Sequence, residues 1–224
     1  MPSAYPPATV TVDQLQRGDI LLYIDEPETT TAAHLLIHIA QLPQQLARWR
    51  TRHGNSRIVH ALLWTRLSDG AHDVTEMSGG DVLRIRNARL DAGFYRVYRM
   101  IDNHDMAHTA ATVAAAWGAE GNVPYSKQGA ATSVVRSSHY GSMARAETEK
   151  HAADAFVSHP AWASEGAFCS QLVIAAYQAA ASMCEVKPKR VLNLHAAATS
   201  PVTLHRGLKK SEHFHECGYL RHVA

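Results

Sequence analysis

The chain has 224 residues, of which 46% are hydrophobic and 19% are charged, and its formal net charge is +2. This length and composition are typical of one globular domain with a full core, and the lack of a basic block argues against nucleic-acid binding. No apolar run is as long as the roughly 18 residues of a transmembrane helix, so we expect no membrane span.

The first half of the chain predicts strands, interrupted by one helical segment. A strand is predicted at Ile20–Ile24, after a turn at Gly18 and Asp19. Residues 29–55 predict a helical insertion, which is either a wall or lid of a substrate cleft or plain surface decoration. Between residues 56 and 100, short strand-forming runs are separated by Asp-Gly, Gly-Gly and Ala-Gly breaks, which predicts an antiparallel meander.

The second half predicts mostly helices. The predicted elements are a helix over 103–121, a loop over 122–142, a helix over 143–160 that Pro160 ends, a helix from Cys169, a helical turn after Ser200-Pro201, and a strand around 213–220. Strands in the first half and helices in the second predict an α+β fold, and we expect one domain over residues 1–224.

Cys169 stands at the predicted start of an apolar helix, in the sequence EGAFCSQLVIAAYQAAA. Free N–H groups and the positive end of the helix dipole lie there, and both favour a thiolate and could hold an oxyanion. These features suit acyl transfer, whereas the alternative interpretation is a small buried hydrophobic residue. The chain has three cysteines, which indicates reduced thiols rather than a disulfide framework, and we expect Cys184 and Cys217 to be structural.

A catalytic cysteine needs a base, and among 15 histidines His60 is the one inside a strongly apolar strand, RIVHALLW. Alternation along this strand predicts that Ile58 and His60 share one face. A histidine in such a strand is more often a structural residue, so its interest depends on what the following strand places next to it.

Glu76 lies in that following strand, AHDVTEM, after a turn that ends at Gly70. If the loop has three residues with Gly70 in the left-handed conformation, Leu62 pairs with Glu76, and Glu76 lies diagonally next to His60 on the same face. A two-residue turn would put Glu76 on the opposite face. The hypothesis of a triad therefore includes a register prediction, in which Glu76 orients the imidazole and stabilises its protonated form.

Several short motifs occur in a distinctive order along roughly residues 17–205: RGDILLY, VHALLW, VTEM, VPYSKQG, FCSQLV and TSPVTL. This series resembles the circularly permuted papain-like branch of the NlpC-type cell-wall peptidase superfamily. The branch includes the YiiX-like proteins, and lecithin:retinol acyltransferase is a relative. Its histidine strand precedes its cysteine helix, as here, and Phe168 and Gln171 depart only mildly from the Tyr-Cys-Ser-Glu-Leu-Val pattern of the branch.

The resemblance implies a permuted papain-like fold, in which a small antiparallel and partly barrel-like sheet packs against the cysteine-bearing helix. It also implies Cys169 as nucleophile, His60 as base and Glu76 as the residue that orients the base. Tyr125 and Ser170 match family positions near the site, so we expect them to contribute to substrate binding.

Two other patterns would suit a metal ion but are incomplete. His213, His215 and Cys217 share a face of the last predicted strand, without a fourth ligand at a recognised spacing. His34 and His38 lie one helical turn apart, without the glutamate of the zincin pattern. We therefore expect no metal ion and no other cofactor.

Together these features predict a thiol-dependent amide hydrolase, and the resemblance implies the peptide stem of bacterial peptidoglycan as its substrate. Two alternatives stay open. One is a thiol-dependent esterase or acyltransferase that acts on a lipid acyl group, and the other is a non-catalytic binding module on the same fold.

The cellular location is the least constrained of these expectations. The N-terminal sequence MPSAYPPATV lacks the basic start and apolar core of a Sec-type signal peptide, so we expect no signal peptide. A wall hydrolase acts outside the cytoplasm, which suggests an antibacterial effector that a contact-dependent secretion system exports without a leader to the periplasm of a target cell. In that case we expect a cognate immunity protein in the producing cell; a cytoplasmic housekeeping role is the alternative.

Overall fold

Six strands form one open antiparallel sheet in the computed structural model, which describes residues 9–25, 58–66, 70–79, 83–120, 123–133, 141–153 and 166–223. The strands are β1 (Ile20–Ile24), β2 (Ile58–Trp64), β3 (Val74–Gly79), β4 (Leu83–Ala88), β5 (Gly93–Met100) and β6 (Phe214–His222). Their order across the sheet is β4-β3-β2-β1-β5-β6.

The predicted meander is confirmed for β2, β3 and β4. Strand β5 does not pair with β4, and it pairs instead with β1, on the edge of β1 that faces away from β2. Strands β4 and β6 are the two edges, and the sheet is open rather than partly barrel-like across the described residues. With the helices described below, this confirms the expected α+β class.

The described helices follow the sheet strands, apart from β6 at the end. They are α1 (His104–Glu120), α2 (Lys127–Thr132), α3 (Ser142–Ala153), α4 (Cys169–Met183), α5 (Pro188–Val191) and α6 (Pro201–Lys210). Two expectations were wrong here. Helix α2 occupies the segment that predicted a loop, and Ser126 caps it by accepting a hydrogen bond from the N–H of Gly129 at 2.9 Å. The expected turn after Pro201 is a helix of 10 residues, which Ser200 caps.

Other predicted elements are only partly covered. The helical insertion expected at 29–55 lies outside the described residues, and so does the part of the helix expected at 143–160 that follows Ala153. The elements that position the site are described in full.

Helix α4 lies at the centre of the fold, and every residue from Cys169 to Ala181 is buried. It packs against α1, α3, β2 and β3, and its alanines permit this close approach on all sides. The burial of its polar residues Ser170, Gln171 and Gln178 is a finding that the sequence did not predict. Ser170 donates to the carbonyl of Thr199 at 2.6 Å, and Nε2 of Gln178 donates to that of Leu194 at 2.7 Å. Oε1 of Gln178 is buried without a hydrogen-bond partner among the described residues.

The two faces of the sheet support separate hydrophobic clusters. Ala61 and Leu63 of β2 belong to the cluster on the helix side, whereas Leu62 and Trp64 belong to the cluster on the opposite side. Ile58 was expected on the same side as His60 but belongs to the cluster of Ala61 and Leu63. A β-bulge between Ile58 and His60 explains this correction, because Tyr23 of β1 pairs with His60 whereas Ile24 pairs with Ile58.

Gly18 ties the start of β1 to three other elements. Its N–H donates to the carbonyl of Trp64 at 2.9 Å, and its own carbonyl accepts from the hydroxyl of Tyr177 on α4 at 2.6 Å. Its φ of +93° is left-handed, and a Cβ at this position would lie 2.5 Å from the carbonyl oxygen of Ala107 on α1. Only glycine fits this junction without displacing a helix.

We expect Gly18→Ala to lower the free energy of unfolding by about 3 kcal/mol, because the left-handed backbone and the clash with α1 both oppose the new methyl group. Gly70→Ala is the matched control, because φ is +63° there and no atom of the described residues lies within 4 Å of the added Cβ. Its expected loss is about 1 kcal/mol. Urea unfolding of both variants measures the difference, and equal losses would show that the contact with α1 is unimportant.

Candidate functional site

The register between β2 and β3 places Glu76 next to His60. Leu62 is the partner of Glu76, Leu63 of Thr75 and Trp64 of Val74. This confirms the predicted register, and Gly70 has the left-handed φ, +63°, that the prediction required. Glu76 is therefore a diagonal neighbour of His60 on one face of the sheet, while the tip of the turn, 67–69, lies outside the described residues.

His60 and Glu76 form a direct hydrogen bond. The Nε2 of His60 lies 3.1 Å from Oε2 of Glu76, and the two side chains are 22% and 6% exposed. Because Nε2 is committed to Glu76, Nδ1 is the ring nitrogen left for another partner. This geometry fixes the orientation of the imidazole.

Arg86 completes the carboxylate's contacts from the next strand. It is the cross-strand partner of Glu76 on β4, and its Nε and Nη2 donate to Oε1 of Glu76 at 3.2 and 2.9 Å. One carboxylate oxygen thus binds the imidazole and the other binds the guanidinium. The arginine is missing from the residues expected from the sequence, because the Gly-Gly break between β3 and β4 does not determine which residue lies opposite Glu76.

Cys169 is the first residue of α4. The preceding Phe168 is the N-cap, with extended backbone angles of φ −135° and ψ 168°, and among the described residues no side chain caps this end. The first N–H groups of the helix are therefore available to a negatively charged group. Cys169 is only 3% exposed, so the more exposed ring of His60 is the part of the pair that faces solvent.

The pKa values show that Cys169, His60 and Glu76 interact. Burial lowers the pKa of His60, but the charge of the Cys169 sulfur, its hydrogen bond and the contacts with Glu76 raise that pKa to about 10. Burial raises the pKa of Glu76, but His60 and then Arg86 lower it to about 2. Both shifts favour the ion pair of a protonated His60 with an ionised Glu76.

Tyr125 lies beside the same sulfur. It forms a β-bridge with Ala167, two residues before Cys169, and the N–H of Ser126 donates to the carbonyl of Ala167 at 2.7 Å. Burial and the neighbouring Cys169 charge raise the pKa of the Tyr125 phenol above its usual value. Tyr125 is therefore placed at the site, and its contact with substrate stays a prediction.

Ser170 has a different environment. Its side chain is fully buried, and its hydroxyl donates to the carbonyl of Thr199, so it anchors the start of α4 to the loop before α6. The structure thus gives Ser170 a packing contact, and the expected contact with substrate stays a prediction.

The described histidines and cysteines outside this site do not form a metal-binding group. Within the described ranges, no group of three or more His, Cys, Asp or Glu side chains is arranged to hold a metal ion. His213 bonds to Asp102 through Nδ1, and Cys184 and Cys217 are free thiols. None of the helices in the described part of the chain is both long and apolar enough to cross a bilayer.

The arrangement is suited to covalent chemistry at sulfur. In general, a cation next to a cysteine favours its thiolate, and the first N–H groups of a helix can bind an oxyanion. Comparisons of the chain with protein-family models, with curated proteins and with solved structures found no match.

The Glu76 network should make stability depend on pH. The pKa of Glu76 is lowered from 4.5 to about 2, so its contribution is complete above pH 4.5 and is lost as the pH falls through 2. The pKa of His60 is raised from 6.5 to about 10, so its contribution is complete below pH 6.5 and is lost as the pH rises through 10. Both contributions are therefore complete between about pH 4.5 and 6.5.

We expect Glu76→Gln to lower the free energy of unfolding by roughly 2–3 kcal/mol at about pH 6, because it removes the shared acceptor of two cations. The difference from wild type should shrink towards pH 2, where the wild-type carboxyl is also protonated. Urea unfolding at several pH values measures this. Glu149→Gln, an exposed position on α3, is the control and should change stability by less than about 0.5 kcal/mol. A Glu76→Gln effect as small as the control, or one that does not vary with pH, would contradict the network.

Proposed function

We propose that the protein is a thiol hydrolase in which Cys169 is the nucleophile, His60 the general base and acid, and Glu76 the residue that orients the imidazole. Two observations support this proposal: the 3.1 Å hydrogen bond between His60 and Glu76, and the neighbouring Cys169, whose charge and hydrogen bond raise the pKa of His60. Such a chain is the arrangement that activates a cysteine for acyl transfer.

In the proposed reaction His60 first donates and then accepts a proton, while Cys169 is first acylated and then released. His60 holds the proton of Cys169, and the thiolate attacks the carbonyl carbon of the substrate, while N–H groups at the start of α4 bind the oxyanion. The imidazolium gives its proton to the leaving amine as the C–N bond breaks, which leaves a thioester on Cys169. Water then attacks the thioester with His60 as base, and the carboxylic acid and the free thiol are released.

Arg86 has a positioning role in this proposal. It holds Glu76 ionised and in place through two N–H groups on one oxygen, and it does not contact the sulfur. Its side chain is 42% exposed, so solvent screens the pair, and we expect Arg86→Gln to affect the reaction less than Glu76→Gln does.

The substrate follows from the family resemblance. A histidine strand that precedes a cysteine helix, with the helix packed on β2 and β3, supports a circularly permuted papain-like fold. On this proposal the scissile bond is an amide of the peptidoglycan peptide stem. Export to the periplasm of a rival cell, together with a cognate immunity protein, belongs to the same proposal.

The test combines a cellular and a chemical measurement. The chain is expressed in a bacterium with and without an added periplasmic leader, and the purified protein is incubated with peptidoglycan and with a panel of lipid esters. We expect lysis only with the leader and release of new amino groups from peptidoglycan. Cys169→Ala should abolish both, and His60→Ala should slow the release by roughly 10²–10⁴-fold.

Cys184→Ala is the matched control, because Cys184 is a free cysteine at the other end of α4. This variant should lyse cells and digest peptidoglycan like wild type. Turnover of lipid esters but not of peptidoglycan would contradict the proposed substrate and support the same thiol chemistry on a lipid acyl group. Harmlessness in both compartments, with no turnover of either substrate, would leave a non-catalytic binding module and contradict the proposal.

A further inference from the structure

A cavity of about 510 Å³ lies away from Cys169, between helices α5 and α6 and the segment that leads into β6. It is lined by residues of 189–194, of α6 and of 211–213, and none of Cys169, His60 and Glu76 contributes to it. Its volume is within the range of small-molecule sites, which is roughly 300–1,000 Å³.

The cavity is strongly basic. Lys189, Arg190, Arg206 and Lys210 line it, and Glu212 is the one acidic residue among its described lining residues. None of these four cations forms an ion pair with a carboxylate in the described part of the chain. Four basic residues and one acidic residue therefore line the same concave surface.

Arg206 adds a second, independent observation. Its Nη1 is buried, and among the described residues it has no hydrogen-bond partner. Buried N–H groups are normally hydrogen-bonded. The described residues supply no acceptor for this N–H group of Arg206. Arg206 also lines the cavity, so a rotation of its side chain would bring this N–H group to an acceptor bound there.

We propose that this cavity binds a small anion that carries phosphate groups. Guanidinium groups bind phosphate oxygens through paired N–H donors, and ammonium groups add compact charges around them. Arg190 and Arg206 provide the guanidinium groups, and Lys189 and Lys210 provide the ammonium groups. This site does not depend on the thiol chemistry proposed for Cys169.

The test is isothermal titration calorimetry with inorganic pyrophosphate, at an ionic strength held constant with sodium chloride. We expect saturable binding of one pyrophosphate per chain. Arg206→Gln should weaken it by about tenfold or more, because a charged hydrogen bond is lost. Lys189→Gln, an exposed position in the lining, should weaken it as well and decides the outcome if Arg206→Gln does not fold.

Two controls make the result specific. Lys209→Gln removes the same charge from an exposed position on α6 that does not line the cavity, and it should bind within about threefold of wild type. Cys169→Ala should bind like wild type, so this test stands apart from that of the hydrolase. No saturable binding by wild type, or equal weakening by Lys209→Gln and Lys189→Gln, would overturn the proposal.

Discussion

The hydrogen bond between His60 and Glu76 depends on the alignment of two strands. Leu62 lies opposite Glu76, and this register puts the carboxylate on the face of the imidazole. A slip by one residue would turn Glu76 to the other face and leave a buried charge without its partner. The same alignment continues into β4, where Arg86 lies opposite Glu76 and binds its second oxygen. One sheet register therefore sets three members of the network.

The fourth member, Cys169, comes from a distant part of the chain and is positioned by packing. Helix α4 is buried along its length, and its alanines allow α1, α3 and the sheet to approach it closely. Tyr177 on this helix donates to the carbonyl of Gly18. The N–H of the same glycine donates to the carbonyl of Trp64, at the end of β2. The helix that carries the sulfur and the strand that carries the imidazole are thus tied to the same glycine. In the proposed reaction this rigidity would keep the nucleophile and base in register.

Much of the site could be predicted because it depends on local patterns. A three-residue loop that ends at a left-handed Gly70 is one of two turns compatible with the sequence, and it is the one that pairs Leu62 with Glu76. The start of the apolar run at Cys169 indicates where α4 begins. Features that depend on tertiary contacts could not be predicted in this way. The bulge that moves Ile58 to the helix side of the sheet has no signature in an alternating pattern, and the short helix α2 is stabilised by its cap and contacts rather than by periodicity.

Two further features required the packed structure. Burial of α4 on every side follows from how many elements surround it, which the apolar spacing of one face does not reveal. The basic cavity brings together Lys189 and Arg206 from different helices, and their separation along the chain hides their proximity. Arg86 was also missed, because a two-residue turn at the Gly-Gly break would pair Glu76 with Leu83, whereas the observed register pairs it with Arg86.

The protonation of His60 tests the contact between sulfur, imidazole and carboxylate most directly. Its ring resonances, assigned with His60→Gln, can be followed by NMR across a pH titration of wild type and of Cys169→Ala. The account predicts an imidazolium in wild type that persists far above the usual pKa of 6.5, towards 10, and a clearly lower pKa in Cys169→Ala. A His60 pKa close to 6.5 in both proteins would contradict it.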